Sequence, residues 1–165
     1  MPTIQKITSF LSFEHQAEEA ANFYVGIFRN SRVVQVSRYP EAGAERHRQK
    51  PGSVMTVNFE LEGQPFVALN GGPSGFNQAV SFMIQCETQE EVDHYWEGLT
   101  GGGGKEIACG WLTDKYGLSW QVTPTLLMEA ISDPDPAKSG RAMQAMMEMA
   151  KIDIETIRRA HAGES

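Results

Sequence analysis

The chain has 165 residues, 41% of them hydrophobic and 21% charged, which suits a single globular domain. A chain of this length buries roughly 70% of its unfolded surface and needs no disulfide or metal to hold a core. The formal net charge of −7 argues against a nucleic-acid binder, which needs a basic face. No apolar run reaches the ~20 residues that cross a bilayer, so no membrane partner is expected. The N-terminal residues carry no apolar stretch of the secretory kind, and a cytoplasmic location is the expectation. The two cysteines, Cys86 and Cys109, are then reduced thiols outside any CxxC pair.

In chain order, Ile7 to Phe13 is apolar and β-prone and reads as a strand. Ala17, Ala20, Ala21, Tyr24 and Phe28 then recur at helical spacing, opposite Glu18, Glu19 and Asn22. Ser31 to Tyr39 is a strand, and Pro40 to Gly52 a loop with a small basic patch at Arg46, His47, Arg48 and Lys50. Ser53 to Leu61 and Pro65 to Asn70 flank the hairpin signal Glu62-Gly63-Gln64, and Gly71 to Gly75 is the join between two halves. Ala79 to Cys86 starts the pattern again. Thr88 and Glu91 form a capping box for a helix whose stripe is Val92, Tyr95, Trp96 and Leu99. Gly101 to Gly104 ends that helix; because the run comes after a helix instead of opening one, it is not a phosphate loop. Ile107 to Leu112 and Leu118 to Thr123 read as strands around the turn Asp114-Lys115-Tyr116-Gly117. In the tail, Asp133-Pro134-Asp135-Pro136 is a helix start. Met143, Met146, Met147 and Ala150 form an apolar stripe, and Asp153 opens a further helix with Ile154 and Ile157.

The halves repeat. Ser9-Phe10 and Ser81-Phe82 lie 72 positions apart (82 − 10), and the same offset pairs Glu18-Glu19 with Glu90-Glu91 and Phe23-Tyr24 with Tyr95-Trp96. A strand-helix-strand-strand-strand unit used twice is a long-period internal repeat. The expected architecture is α+β: paired βαβββ modules forming a curved mixed sheet around a cavity, with a C-terminal helical extension. The expected boundaries are 3–71 for the first module, 77–124 for the second and 125–163 for the helical tail, all within a single domain over 1–165.

The repeat, taken with Ala17-Glu18-Glu19-Ala20-Ala21-Asn22-Phe23-Tyr24, Gly52-Ser53-Val54-Met55-Thr56-Val57, Ala68-Leu69-Asn70-Gly71-Gly72, Cys86-Glu87-Thr88-Gln89-Glu90-Glu91-Val92-Asp93 and Cys109-Gly110-Trp111-Leu112, resembles the PhnB-like branch of the glyoxalase, bleomycin-resistance and extradiol-dioxygenase superfamily, also called vicinal oxygen chelate. That branch often carries the label 3-demethylubiquinone 3-methyltransferase. No glycine-rich turn opens a helix here, and paired βαβββ modules leave no doubly wound parallel sheet for S-adenosylmethionine. The resemblance implies metal-ligand positions near Thr8, at Ala79 or Val80, at Val67 or Ala68, and at Gln121. Alanine and valine cannot ligate, and threonine and neutral glutamine are poor ligands, so no metal or other cofactor is expected. His15, His47, His94 and His161 read as solvated surface residues with no HxH or HxxxH spacing.

Period-2 alternation selects the groups that face the cavity. Thr8, Phe10, Thr56 and Asn58 face in, Asn70 and Gln121 close the ring, and Trp111 or Trp120 forms an aromatic wall. Such a lining of amides, hydroxyls and rings orients a small polar or aromatic molecule. Catalytic residues are not assignable. Cys109 is the nearest thiol, without a visible base to activate it. The expected function is a ligand-binding module, or an enzyme of unknown reaction, with a metal-free cavity. The alternatives are a metal-dependent lyase or dioxygenase, and a drug-sequestering resistance protein. A homodimer is expected from the sheet edges and from the apolar residues of the tail.

Overall fold

The computed structural model describes residues 4–164, so Thr3, where the first module is expected to begin, lies outside the described residues. The chain divides into two compact units, Met1–Gly75 and Phe76–Ser165.

The first unit runs β1 (Ser9–Phe13), α1 (Ala17–Ile27), β2 (Ser31–Arg38), a short α2 (Ala44–His47), β3 (Val54–Leu61) and β4 (Gln64–Asn70). Its four strands lie in the order β1-β4-β3-β2, with β1 parallel to β4 and the other pairs antiparallel. The helix forms where the alanine spacing predicts it. Ala17, Ala20, Ala21 and Tyr24 are buried, and the small side chains let the helix approach the sheet closely. Tyr24 lies parallel to Phe59 with ring centroids 6.2 Å apart, and Phe59 lies parallel to Phe66 at 5.5 Å. The hairpin between β3 and β4 turns on Glu62 (φ 49°) and Gly63 (φ 78°), with Leu61 paired to Gln64. Two successive residues at positive φ are what a two-residue hairpin matched to strand twist requires.

The second unit repeats the order with β5 (Ser81–Cys86), α3 (Gln89–Thr100), β6 (Lys105–Glu106), β7 (Trp111–Thr113) and β8 (Ser119–Pro124), arranged β5-β8-β7-β6. The α+β architecture and the repeat are therefore present as the sequence implies. Thr88 caps α3, its hydroxyl accepting from Glu91 N at 3.2 Å. The return bond of the capping box falls one residue early: Glu91 Oε2 accepts from Glu87 N at 3.4 Å.

The expected strand over Ile107 to Leu112 is a correction. Only Trp111 and Leu112 of it are strand, in β7, and β6 lies before it, because Cys109 (φ 64°) and Gly110 (φ 81°) take the left-handed conformation, which interrupts the extended run. Their N–H groups turn away from the sheet and donate to Met149 O and Ala150 O, each at 2.8 Å. The tail thus satisfies a break that the sheet leaves open.

That tail forms α4 (Thr125–Ile131), α5 (Pro136–Met147) and α6 (Ile154–Ala162). Asp135 and Asp153 cap the last two, accepting from Ala137 N at 2.9 Å and Thr156 N at 2.8 Å. Leu127, Ala130, Ala142, Ile152 and Ile157 make a buried core of their own, with Met146 and Met149 packed against it. The expected stripe of Met143, Met146, Met147 and Ala150 is therefore only partly the packed face. Met143 and Met147 remain 39% and 61% exposed, because Ala142, Ala145 and Met146 turn inward instead. Gln89 on α3 holds the start of α6: its Oε1 accepts from Ile154 N at 2.9 Å, and its Nε2 donates to Ile152 O at 3.1 Å. Lys151 Nζ lies 2.8 Å from Asp93 Oδ1, which holds the Asp93 carboxyl below and the Lys151 ammonium above their ordinary pKa values.

Two substitutions test this reading. A Cβ on Gly110 would sit 3.0 Å from Val122 O and 3.0 Å from Ile152 Cγ1, at a φ that side chains avoid. Gly110→Ala is expected to lower unfolding free energy by about 2 kcal/mol or more, read from urea denaturation. Ser119 is fully buried, and its hydroxyl makes no hydrogen bond among the described residues. Ser119→Ala removes an unpaired buried polar group, so it should leave stability unchanged or raise it by about 1 kcal/mol, visible as a higher melting temperature.

Candidate functional site

Alternation along the strands sorts each sheet into a helix-covered face and an open face. In β3, Val57, Phe59 and Leu61 are buried under α1, while Thr56, Asn58 and Glu60 alternate with them. Register then aligns two rows on the open face of the first sheet. One is Phe10, Val67, Asn58 and Gln35; the other is Ser12, Leu69, Thr56 and Ser37.

The first row floors a cleft of about 260 Å³ lined by Thr8, Phe10 and Asn58, with Val34, Glu60 and Val67 around them. Phe10 is 59% exposed, an unusual position for a phenylalanine on a strand. The Asn58 side chain makes no hydrogen bond among the described residues, nor does that of Thr8. Glu60 differs: its Oε2 accepts from Arg32 Nε at 3.0 Å across the hairpin edge, so its charge is balanced. Glu60 is a lining residue that sequence reasoning passed over. The signal was available, since it lies two positions beyond Asn58 on the same strand.

The remaining expected site residues are distributed as follows. Thr56 is on the open face, with its hydroxyl bonded to that of Ser37. Asn70 points the other way, toward α1. Its Oδ1 accepts from Ala17 N at 2.8 Å, its Nδ2 donates to Val54 O at 3.2 Å, and its carbonyl accepts from Tyr39 Oη. It is buried and fastens the first turn of the helix to the sheet.

In the second unit, Trp111, Gln121 and Met83 share one row of the open face. Gln121 Nε2 donates to Ser81 Oγ at 2.9 Å, and Trp111 is half-buried. Trp120 lies on the helix side, 2% exposed, with its indole N–H donating to Asp114 Oδ2 at 2.9 Å. Asp114 Oδ1 accepts from Tyr116 N and Leu118 N at 2.8 and 3.1 Å. The turn residue Asp114 is thus a buried anchor between its own loop and a core indole. The structure brings Thr8, Phe10 and Asn58 together on one sheet and Trp111 and Gln121 on the other; Asn70 and Trp120 join neither group.

The donor set does not fit a metal. Of the positions that metal-using relatives would employ, Val67 and Ala68 are buried hydrocarbon and Val80 is an exposed one. Thr8 offers a hydroxyl, and Gln121 a neutral amide already engaged with Ser81. Hydroxyl and amide oxygens are weak ligands for first-row ions. Among the described residues no three His, Cys, Asp or Glu side chains come together as a metal site.

The histidines are more engaged than expected. His47 Nδ1 accepts from Gln49 N at 3.0 Å, its Nε2 lies 3.1 Å from Pro40 O, and its ring rests on Tyr39 with centroids 4.9 Å apart. His161 Nε2 lies 2.8 Å from Asp133 Oδ2. His15 and His94 are exposed. Burial, and next the charge of Glu91, pushes the Cys86 thiol up to about 12, so it behaves as a small apolar side chain. Cys109 is held by its backbone to the tail, and its thiol contacts no base among the described residues.

Residues 5–123 match the family described as 3-demethylubiquinone-9 3-methyltransferase. A putative 3-demethylubiquinone-9 3-methyltransferase, PhnB protein, from Bacillus cereus is 40% identical over 73% of this chain and 100% of its own, with a TM-score of 0.63. Protein PA1353 from Pseudomonas aeruginosa is 16% identical over 74% of this chain and 98% of its own, at a TM-score of 0.56. The fosfomycin resistance protein FosX from Listeria monocytogenes is 15% identical over 77% and 98%, at 0.50. The last two likenesses concern the fold alone. No curated protein matches. The chain belongs to the family described as 3-demethylubiquinone-9 3-methyltransferase, the PhnB-like branch of the vicinal-oxygen-chelate superfamily, with the glyoxalase/bleomycin-resistance fold.

Proposed function

We propose that the chain binds a small polar or aromatic molecule on the open face of its first sheet, without a metal ion. The observation that carries this reading is the cleft in which an exposed ring, Phe10, and an unpaired amide, Asn58, share one row of the sheet. A ligand site is typically apolar-walled with a few convergent polar groups, and this cleft has that composition. Thr8 and Thr56 are the further candidate contacts on that sheet, and Trp111 and Gln121 are candidate contacts on the open face of the second sheet; Asn70 and Trp120 support the scaffold.

The family's description names a methyl transfer, and the architecture lends that no support. Each sheet has one parallel pair, and α1 and α3 are entered through Glu14-His15-Gln16 and Glu87-Thr88, not through a glycine turn that could seat S-adenosylmethionine. A metal-dependent lyase or dioxygenase is disfavoured by Thr8 and Gln121, whose oxygens are poor ligands.

We further infer a homodimer. No helix among the described residues is long and apolar enough to cross a membrane. The β2 edge exposes Val33, Val34 and Val36, and α5 exposes Met143 and Met147. Apolar side chains along an unpaired strand edge favour pairing with a second copy. Ile157 does not contribute, because it is buried in the tail's own core. Both cysteines are free, which agrees with a reducing cytoplasm.

Two measurements test these points. Isotope-labelled protein titrated with phenol, indole, nicotinamide and benzoate is expected to show, for at least one of them, shifts at Thr8, Phe10, Asn58 and Phe66 while Ile157 stays still. Phe10→Ala should weaken that binding about 3- to 10-fold. If none of the four probes moves the cleft resonances, the binding reading is wrong. Light scattering at micromolar concentration should give twice the single-chain mass; a value near 18.3 kDa refutes the dimer.

A further inference from the structure

We infer that the cleft of the first unit selects an uncharged planar aromatic ring carrying a hydrogen-bond donor and acceptor on one edge, as in a carboxamide. This rests on the binding reading above and narrows it to a ligand class. Pairing capacity, spacing and charge each point there.

Asn58 supplies the pairing capacity. Its amide offers one acceptor oxygen and two N–H donors, and none is engaged among the described residues. Thr56, the neighbour on the same face, differs: its hydroxyl is bonded to Ser37. An unpaired side-chain amide in a cleft recognises most strongly a group that donates and accepts side by side, because both of its own halves are then satisfied at once.

The spacing is set by the sheet. Phe10 and Asn58 both pair with Val67, on either side of it. Two strand separations put their Cα atoms about 9.5 Å apart. A flat ring lying over Val67 spans that gap, with one edge at the Asn58 amide and the opposite side against the Phe10 ring. The cleft volume, about 260 Å³, holds a one- or two-ring molecule and little more.

Charge narrows the class further. Glu60 is the one ionised residue among those lining the cleft in the described chain, and Arg32 balances it from the rim at 3.0 Å. An anionic ligand would meet the Glu60 carboxylate without a cation facing it in the cleft. A cationic ligand would have to compete with Arg32. Neutral ligands escape both penalties.

The test compares four probes on the intact chain: benzamide, benzoate, cyclohexanecarboxamide and toluene. Dissociation constants come from chemical-shift titration of the Asn58 side-chain N–H pair and the Phe10 ring. Benzamide is expected to bind about tenfold or more tighter than each of the others. Benzoate keeps the ring and loses the donor, cyclohexanecarboxamide keeps the amide and loses the planar face, and toluene loses the edge. Asn58→Leu should abolish the preference for benzamide over toluene, and Phe10→Leu the preference over cyclohexanecarboxamide. If the four bind at the cleft within threefold of one another, or if benzoate binds best, the inference is overturned while the binding reading stands. If none moves the cleft resonances, the inference is overturned, and the phenol, indole and nicotinamide titrations decide the binding reading. The wild-type series alone decides, so a variant that fails to fold does not blunt the test.

Discussion

Each half of this chain supplies one helix to a four-stranded sheet, and a helix covers one face only. The rest of the structure depends on that arithmetic of faces. On the covered side of the first sheet, Ala17, Ala20 and Ala21 bring the helix close and Tyr24, Phe59 and Phe66 align their rings beneath it. On the covered side of the second, Val92, Tyr95, Trp96 and Leu99 meet Leu112, Trp120 and Val122. Because side chains alternate along a strand, every residue committed to the helix side places its neighbour on the open face. Phe10, Asn58 and Val67 are there because Leu11, Phe59 and Ala68 are not.

The two units are the same plan carried out under different local constraints. The first closes its long hairpin with Glu62 and Gly63 in the left-handed region, and its strands run seven or eight residues. The second puts Asp114 at the corresponding turn, where one carboxylate satisfies two backbone N–H groups and the Trp120 indole. A buried acceptor of three bonds is costly to leave out, so the turn and the core are fastened by a single side chain. The sheet of the second unit is also interrupted at Cys109-Gly110, and the N–H groups released there are taken up by Met149 and Ala150. The tail is thereby part of the second unit's hydrogen-bonding plan and not an appendage. Ile152 against Gly110, and Gln89 against both Ile152 and Ile154, complete the same junction.

Membership in a superfamily known for metal chemistry does not transfer that chemistry, because a ligand set lives in particular side chains and a fold does not. Here those positions hold hydrocarbon, a hydroxyl and an engaged amide. Under the proposed function, the open face of the first sheet holds a flat molecule by one unpaired amide and one exposed ring. In the same proposal the Arg32–Glu60 pair at its rim disfavours charged ligands, and hydrogen bonding and shape choose among neutral ones.

Much of this was legible in the order of residues. Alternation and helical spacing placed β1 to β5, α1 and α3 within a residue or two, because those segments each bury one regular face. The 72-residue offset of Phe10 and Phe82 disclosed the repeat, and the alternation of β3 placed Asn58 on the open side. The roles of Asn70 and Trp120 were beyond such reasoning. Alternation alone sets Asn70 opposite Leu69 and Trp120 opposite Gln121, but it does not show the distant partner that claims each: Ala17 N for Asn70, and for Trp120 a carboxylate that reads in sequence as part of a turn. The break at Cys109-Gly110 and the inward turn of Ala142 in place of Met143 were likewise decided by tertiary contact. A local pattern specifies which faces exist. Which polar groups on them are already satisfied, and which remain free as Asn58 does, is settled only when the chain brings its remote donors and acceptors together.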